Sequence, residues 1–414
     1  MKKIDTSDYD IVVVGAGLVG AAFALLVAQR MPSSKVLVVE RGSGLQAAQD
    51  SNTRVVALGG LATGILSELG VLTQLGAEHN HPYQKMFVWD ENSPGELKFD
   101  VQDIHTNGEH DQSQILGHMI DSIECNRLLQ QQLKTSSNIE FLCQASITSV
   151  NRKPTARVGS LGQDLVANIE GVDGLKLSVC TPLLIGADGA NSWVRKLAKI
   201  PVSEYTYGQR GIVAKLSAEV SHQDTAWQRF LTDGPVGVLP LANNQVSIVW
   251  SCGTAKAEQL MAMPEQAFCD SLAEALEHRL GELTLLNKRQ TFPLRSLQAQ
   301  RYFADRIALL GDAAHCIHPL AGQGANLGFK DADCLSALLA QEGAPALVKC
   351  LAEYQRIRAR DNVITDQAMS FLNAAFKFNQ PAWTAARGLG MSWVSGSSLL
   401  KRVLVQQAMG RIAS

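Results

Sequence analysis

The first forty residues place a glycine-rich turn between an apolar strand and a helix, and this order strongly limits the fold. Residues 10–14 are a continuous apolar run, the turn Gly15–Gly20 has the spacing G-x-G-x-x-G, and a second apolar run at 35–39 ends in Glu40. The glycines permit a tight bend, close approach to a pyrophosphate and close helix–strand packing. A carboxylate about 20 residues after such a turn suits the hydroxyls of a ribose. The segment therefore predicts a Rossmann-like α/β domain that binds a dinucleotide through Gly15, Gly17, Leu18, Gly20, Glu40 and Arg41.

A second block with the same character lies between residues 306 and 339. The apolar run 306–310 predicts a buried parallel strand, the acidic turn Gly311–His315 follows it, and a Pro/Gly-rich crossing leads to a helix that starts near Asn326. Free N–H groups and the positive end of the dipole at a helix start suit a negatively charged group. Glycines without side chains let a flat ligand approach the backbone. This block looks like a flavin site, with predicted contacts from Asp312, Pro319, Gly322, Gly324, Ala325 and Asn326.

A third strand end points to the same ligand. The apolar residues 183–186 lead to Asp188, which lies before a glycine and a short helix, as Asp312 lies after its own strand. We interpret both carboxylates as ligand contacts, although each could instead cap the helix that follows it. Arg54 follows a polar loop near the dinucleotide end and is predicted to pair with phosphate. The alternative for Arg54 is a solvated surface side chain.

Composition excludes several classes of protein. The chain has 414 residues, 46% of them hydrophobic and 18% charged, which is typical of a globular protein with two or three domains. A net charge of −2 gives no reason to expect a nucleic acid partner. The apolar runs are too short to span a bilayer, and no signal peptide is visible. The eight cysteines form no C-x-x-C pair, so we expect no metal site and a reduced, cytoplasmic compartment.

Together these motifs resemble the single-component FAD-dependent aromatic hydroxylases, whose fold is that of p-hydroxybenzoate hydroxylase. More closely, the chain is similar to the ubiquinone-biosynthesis hydroxylases of that superfamily. The nearer resemblance covers essentially the whole chain, and the segments that carry it are 53–58, 228–231 with Gly234-Pro235, 239–241, 247–251, 318–324 and 407–410.

One segment departs from the family pattern. At Ile120–Asn126 we expected a shorter Val-Glu-Asn run, so either Ser122 or Asn126 occupies the family's cofactor-facing position. We favour Asn126 because a helix from 126 to 133 follows it directly. Asn126 could cap that helix, and its side chain could also face a phosphate.

The resemblance implies an extended FAD, with its adenine end at Glu40, its pyrophosphate near Gly15, Gly17, Arg54 and Asp312, and its isoalloxazine beside Pro319. In such enzymes NAD(P)H reduces the flavin, and O2 then gives a C4a-hydroperoxide that hydroxylates an electron-rich phenol. A dry pocket protects that species from water. Because the chain has one dinucleotide fingerprint, NAD(P)H is expected to bind transiently. The substrate implied is a polyprenylated phenol of ubiquinone biosynthesis, and among its ring positions we favour C5.

No catalytic base is identified from the sequence. Pro319 and His315 are expected near the flavin, but a His after a Gly-Asp-Ala-Ala turn is more often a packed structural residue. Two other functions stay open at this point. The enzyme could hydroxylate a small soluble aromatic compound, or the chain could be a non-catalytic FAD-binding subunit of a biosynthetic complex.

The fold implied is α/β: a Rossmann-like FAD-binding domain of the glutathione-reductase type, an inserted antiparallel β-sheet substrate domain and a helical C-terminus. The FAD-binding domain comprises 1–78, 119–199 and 296–345, the substrate domain 79–118 and 200–295, and the helical segment 346–414. The C-terminal helices are expected to pack on the FAD-binding domain. These helices also contain apolar residues near Lys401 and Arg402. Such a surface could instead contact the inner face of a membrane peripherally, or proteins of a ubiquinone-biosynthesis complex.

Overall fold

The computed structural model describes residues 6–44, 54–101, 115–154, 163–172, 174–317, 323–342, 346–377, 380–397 and 401. Within these residues the strands form a six-stranded, a nine-stranded, a four-stranded and a three-stranded sheet. The architecture confirms the predicted α/β fold with a second, largely antiparallel part. The division into domains at the stated residue numbers stays a prediction.

The six-stranded sheet is the centre of the dinucleotide-binding half, and the predicted apolar runs form it. In spatial order its strands are β20 (Phe303–Ala304), β21 (Ile307–Leu309), β13 (Leu184–Gly186), β2 (Ile11–Val14), β3 (Val36–Val39) and β9 (Ile139–Leu142). All but β20 are parallel. The four parallel strands β21, β13, β2 and β3 are apolar and almost completely buried because helices cover them. The helices of this half are α1 (Leu18–Arg30), α2 (Gly60–Glu68), α3 (Ser122–Thr135), α4 (Trp193–Leu197) and α7 (Gln323–Glu342).

Two smaller sheets flank this centre. A β-meander consists of β10 (Ala145–Pro154), β11 (Gln163–Gly171) and β12 (Lys176–Thr181), and β1 (Thr6–Asp8) adds to it in parallel with β12. The three-stranded sheet contains β4 (Val55–Leu58), β8 (Gly117–Asp121) and β5 (Asn80–Tyr83). Residues 117–121 therefore pair with the segment after Arg54 on one side and with residues 80–83 on the other, and not with the nine-stranded sheet.

The predicted start of α3 was wrong. The helix begins at Ser122, four residues before Asn126, because the carboxylate of Asp121 accepts hydrogen bonds from the N–H groups of Ile123 and Glu124 and so caps it. Asn126 therefore lies inside the helix and does not cap it. This position leaves its side chain free to face the interior of the protein.

The nine-stranded sheet is mostly antiparallel, as expected for the substrate half. Its strands in order are β22 (His315–Cys316), β19 (Gln290–Ala299), β14 (Val202–Ala218), β17 (Gln245–Gly253), β16 (Gly234–Leu241), β15 (Thr225–Leu231), β6 (Lys85–Asp90) and β7 (Glu96–Asp100), with β18 (Leu283–Leu285) paired to β14. The contact between β6 and β15 is parallel. Along its strands, alternate residues pack against two helices on one face of the sheet. The residues of the other face line a cavity.

Those two helices follow β17 in the chain. They are α5 (Thr254–Ala262) and α6 (Glu265–Ala275). The second ends early because Glu277 and His278 take left-handed backbone conformations, with φ of 55° and 53°. Two such residues in succession cannot continue a right-handed helix.

The C-terminal helices are α8 (Leu347–Lys377) and α9 (Pro381–Gly396). The first packs on α7, as expected, but α9 lies against β7 of the nine-stranded sheet. Close approach of Gly95 to Gly388 permits this contact, since a Cβ on Gly95 would meet the Gly388 Cα at 2.9 Å. Arg387 donates to the buried carboxylate of Asp90, with its Nε 2.9 Å from Oδ2. Among the described residues, none of the helices combines the length and the apolar character needed to cross a bilayer.

The buried pair Asp90–Arg387 gives a stability prediction. Asp90→Ala or Arg387→Met alone leaves an uncompensated buried charge, so each should lower the free energy of unfolding by about 3–5 kcal/mol. The double variant removes both charges and should recover most of that loss. Urea denaturation measures the three values. Single-variant losses under about 1 kcal/mol would show that the pair does not hold α9 in place.

Candidate active site

A cavity of about 1850 Å3 separates the carboxyl ends of β2, β13 and β21 from the uncovered face of the nine-stranded sheet. We call this the central cavity, and the sheet surface that lines it the cavity face. The crevice outside the carboxyl ends of parallel strands is where α/β folds bind ligands. Pockets for one small ligand usually enclose about 300–1000 Å3. The central cavity therefore has room for a dinucleotide and a second molecule.

The three glycines of the N-terminal turn have different roles. Gly15 has φ +100°, and a Cβ there would lie 2.4 Å from the Ala187 carbonyl oxygen. A Cβ on Gly20 would lie 2.1 Å from the Gly15 carbonyl oxygen. Both residues therefore let α1 pack closely on the strands. A Cβ on Gly17 would meet nothing within 4 Å, and Gly17 lines the central cavity, so its missing side chain leaves space for a ligand.

Glu40 lies at the wall of the central cavity with a fixed carboxylate. It accepts hydrogen bonds from the N–H groups of Ala16, at 2.7 Å, and Gly42, at 2.6 Å. These bonds orient the carboxylate and leave lone pairs for a ribose. Leu18 also lines the cavity, whereas Arg41 is exposed and lies outside its lining.

The start of α7 presents backbone N–H groups to the central cavity. Gly324 and Ala325 line it, and a Cβ on Gly324 would meet no atom within 4 Å. The first N–H groups of a helix have no partner within the helix, so they can bind an anion. Asn326 ties this helix start to β4, because its side chain accepts from Gly59 N at 2.8 Å and donates to Ala57 O at 2.9 Å. The predicted contacts Pro319 and Gly322 lie outside the described residues.

The two predicted carboxylates differ. Asp312 lines the central cavity and is exposed to it. Asp188 is turned towards α4, where it accepts hydrogen bonds from the Ser192 hydroxyl and from the N–H groups of Trp193 and Val194. In this structure Asp188 therefore caps the start of α4, which was the alternative to a ligand contact. Its neighbours Ala187 and Gly189 form the wall instead.

Asn126, Ser122 and Arg54 meet at one end of the central cavity. Ser122 donates its hydroxyl to the Arg54 carbonyl oxygen at 2.7 Å, so this hydroxyl already has a partner. The Oδ1 atom of Asn126 is buried without a hydrogen-bond partner among the described residues. A buried polar atom without a partner costs free energy, and a bound ligand can remove that cost. The unpartnered Oδ1 atom supports Asn126 over Ser122 as the residue that faces the cofactor. The assignment stays a prediction. Arg54 is exposed at the wall, where its cation suits a phosphate.

His315 does not line the central cavity. Its side chain is 1% exposed, and Nε2 donates to the carboxylate of Asp331 at 2.6 Å. Gly311 N, at 3.0 Å, and Arg358 Nε, at 2.9 Å, donate to the same carboxylate. Burial favours the protonated form of Asp331, but the charges and hydrogen bonds of His315 and Arg358 outweigh it and hold the pKa of Asp331 below its usual value. His315 is therefore a packed structural residue in this fold. The sequence alone does not point to Asp331 and Arg358, because only the fold brings these residues together with His315.

His81, His222 and Asp224 form the one group of possible metal ligands within the described part of the chain. Hydrogen bonds already use the atoms concerned. His81 Nε2 contacts an Asp224 carboxylate oxygen at 2.9 Å, and His222 Nδ1 accepts from Asp224 N at 3.1 Å while its Nε2 donates to Leu241 O at 2.9 Å. These bonds attach the β14–β15 connection to β5, and the group gives no support for a metal site.

Two titratable groups on the wall are poor bases. Burial raises the pKa of Tyr83 to about 12, and burial together with the nearby Asp312 charge raises the pKa of the Cys316 thiol to about 12. Both side chains are therefore protonated at neutral pH. Tyr83 can donate a hydrogen bond to a ligand, and Cys316 is an unreactive thiol.

The glycine geometry predicts different effects for the same substitution at two positions. Gly20→Ala should lower the stability of the apoprotein by about 1–3 kcal/mol, because the methyl group meets backbone. Gly17→Ala should leave the melting temperature of the apoprotein nearly unchanged and weaken FAD binding by about tenfold or more. Thermal unfolding and titration with FAD measure the two effects. Normal FAD affinity in Gly17→Ala would show that the open space is not the cofactor site.

The unpartnered amide of Asn126 gives a second cofactor prediction. Asn126→Ala should weaken FAD binding about fivefold, which is the value of one hydrogen bond, whereas Ser122→Ala should change FAD affinity less than twofold. Quenching of FAD fluorescence on binding to the apoprotein measures both constants. The opposite order would assign the cofactor-facing position to Ser122.

Comparison with known proteins agrees with this geometry. The model of the FAD binding domain family matches residues 8–365. The chain is 32% identical to the 3-demethoxyubiquinol 3-hydroxylase of Escherichia coli K12 over 97% of this chain and 98% of the relative. It is 30% identical to the mitochondrial ubiquinone biosynthesis monooxygenase COQ6 of Xenopus tropicalis, covering 96% and 92%. It is 32% identical to the ubiquinone hydroxylase UbiL of Rhodospirillum rubrum, covering 97% and 90%.

Solved structures share the fold. The p-nitrophenol 4-monooxygenase PnpA of Pseudomonas putida superposes with a TM-score of 0.77 at 18% identity, covering 99% of this chain and 100% of that one. PqsL of Pseudomonas aeruginosa, a probable FAD-dependent monooxygenase, gives 0.72 at 22% identity, covering 93% and 100%. The open glycines, the start of α7 and the unpartnered amide of Asn126 fit a bound FAD. The chain therefore belongs to the FAD binding domain family and is a FAD-dependent monooxygenase of the aromatic hydroxylase type.

Proposed function

We propose that this monooxygenase hydroxylates the aromatic ring of a polyprenylated phenol in ubiquinone biosynthesis, using O2 and NAD(P)H. The observation that carries the proposal is an extended apolar wall facing the cofactor residues across one continuous cavity. Three relatives support the substrate class: the 3-demethoxyubiquinol 3-hydroxylase of Escherichia coli, the ubiquinone biosynthesis monooxygenase of Xenopus tropicalis and the ubiquinone hydroxylase of Rhodospirillum rubrum. The C5 position is our preference among the ring positions.

Bound FAD would accept electrons from NAD(P)H and activate O2, and the protein's task is to bind, orient and keep the reaction dry. Glu40 would hold the ribose, and Gly17, Arg54 and Asp312 would surround the pyrophosphate. The N–H groups at 324–326 would face the isoalloxazine, where the helix start favours the negative charge of a reduced flavin. Asn126 would add one hydrogen bond.

The cavity face supplies the dry compartment. Its lining includes Pro235, Leu239, Val249 and Phe292, which project from alternate positions of three strands. The ring of Phe292 lies over Gly211, where a Cβ would come within 2.8 Å of it. Such a wall excludes water from reactive oxygen species and accepts an apolar substrate. A wall longer than one ring is expected for a phenol that carries a prenyl tail.

The C-terminal helices support a contact with lipid or with partner proteins. Three of their apolar side chains are strongly exposed: Phe371 at 66%, Leu389 at 73% and Trp393 at 69%. Large exposed apolar side chains near one another often mark interaction surfaces. A peripheral contact at the inner face of a membrane would bring the enzyme to a substrate that is poorly soluble in water.

Turnover with a short-chain substrate tests the proposal. The FAD-loaded enzyme, mixed with a prenylated phenol of one or two isoprene units, should oxidise NADH or NADPH at least about tenfold faster than without it. Mass spectrometry should find the phenol gaining one oxygen, and NMR of the product identifies the ring position. Stimulation by small soluble phenols alone would favour the small-aromatic alternative. Oxidation that no phenol accelerates would contradict the proposed substrate class.

A further inference from the structure

We propose that Gln228 is the residue that hydrogen-bonds the oxygen substituents of the substrate ring and so sets which ring carbon faces the flavin. The inference deepens the proposed function and rests on it. It assigns the polar contact in a cavity whose sheet wall is otherwise mainly apolar.

Gln228 lies on the part of the cavity face that β15 forms. One row of paired residues crosses five neighbouring strands of the sheet, and every member lines the central cavity: Gln228, Gly237, Val249, Val213 and Gln290. Next to Gln228 the sheet surface carries no side chain, because that position is Gly237. A Cβ on Gly237 would meet only the Val249 carbonyl oxygen, at 3.9 Å, so the space above it is open. A flat ring can therefore lie against Gly237 within reach of the Gln228 amide.

The direction of the Gln228 side chain follows from its neighbours. Successive residues of a strand point to opposite faces of the sheet. Arg229, the next residue, points to the helix-covered face, where it donates to the carbonyl oxygen of Ala275 at 2.7 Å and to Glu277 at 2.8 Å. Gln228 therefore points into the central cavity.

The Gln228 side chain has no hydrogen-bond partner among the described residues. The residue is 8% exposed, and it lines the central cavity. By contrast, the side-chain NH2 groups of two other buried glutamines have partners: Gln130 donates to Ala16 O at 2.8 Å, and Gln209 donates to Asp233 O at 3.3 Å. An amide that faces a cavity and makes no hydrogen bond to the protein can make one to a ligand there.

The chemistry of an amide defines the ligand. A glutamine side chain carries an N–H donor and a carbonyl acceptor on the same carbon and in one plane. A phenol hydroxyl can donate to the carbonyl while the neighbouring oxygen, as hydroxyl or methoxy, accepts from the NH2 group. Ala226 and Phe230 precede and follow Gln228 on the same face, so apolar contacts flank this polar point. A ring with two adjacent oxygens therefore docks in one orientation.

The test uses the FAD-loaded enzyme and two prenylated phenols that differ only in an ortho-methoxy group. Gln228→Met keeps the length of the side chain and removes the hydrogen bonds, whereas Gln228→Glu keeps the acceptor and removes the donor. Gln245→Met is the matched control, since it makes the same change in the same sheet outside the cavity lining. FAD content and circular dichroism show whether each variant is folded and loaded.

We expect Gln228→Met to raise KM for the ortho-methoxy phenol about tenfold, to change KM for the plain phenol less, and to release more hydrogen peroxide per NAD(P)H oxidised. Gln228→Glu should lose the preference for the ortho-methoxy phenol and still bind the plain phenol. The control should match the native enzyme. If Gln228→Met or, should that variant fail to load FAD, Gln228→Glu keeps the native KM ratio and coupling, the assignment of Gln228 is wrong while the proposed function stands. A native enzyme that responds to neither phenol overturns both.

Discussion

One buried carboxylate, that of Asp331, fixes the geometry on which the cofactor half depends. It accepts from the N–H group of Gly311, from His315 and from Arg358, and it is 0% exposed. The bond from Gly311 N holds the turn that places Asp312 at the central cavity. Asp331 itself lies on α7, and the start of α7 faces the same cavity. A buried charge is tolerated only when it is paired and hydrogen-bonded. The turn and the helix start therefore keep a fixed relation to each other.

The same network reaches the C-terminal helix pair. Arg358 lies on α8 and donates to Asn362 at 2.9 Å, and Asn362 donates to the hydroxyl of Tyr302 at 3.0 Å. From α8 and α9 the contacts pass to the nine-stranded sheet, where Phe376 stacks on Phe230 with ring centres 3.7 Å apart. The cofactor side and the substrate side of the cavity are thus connected through one set of buried contacts. A rigid frame of this kind suits a reaction whose outcome depends on the placement of one ring carbon.

Much of the fold could be predicted because its signals are local. The apolar strands, the glycine turn and the α7 region depend on residues close in sequence, and Gly15 and Gly20 are explained by backbone contacts that the fingerprint already implies. The start of α3 was wrong because Asp121 caps one turn earlier than the apolar pattern suggests. The ligand interpretation of Asp188 and the flavin-side placement of His315 could not be decided, since both depend on partners brought by the fold. Gln228 was visible only as part of a family motif, and its orientation came from strand pairing.

The central claim is that the cavity between the two sheets joins a FAD site to a dry pocket in which O2 supplies the new ring oxygen. Turnover under 18O2 in ordinary water, followed by mass spectrometry of the hydroxylated prenyl phenol, tests it most directly. The account predicts that the product gains one 18O atom per molecule and that one equivalent of NAD(P)H is consumed for each labelled product. A product whose new oxygen comes from water, or the absence of a hydroxylated product with FAD bound, would contradict it.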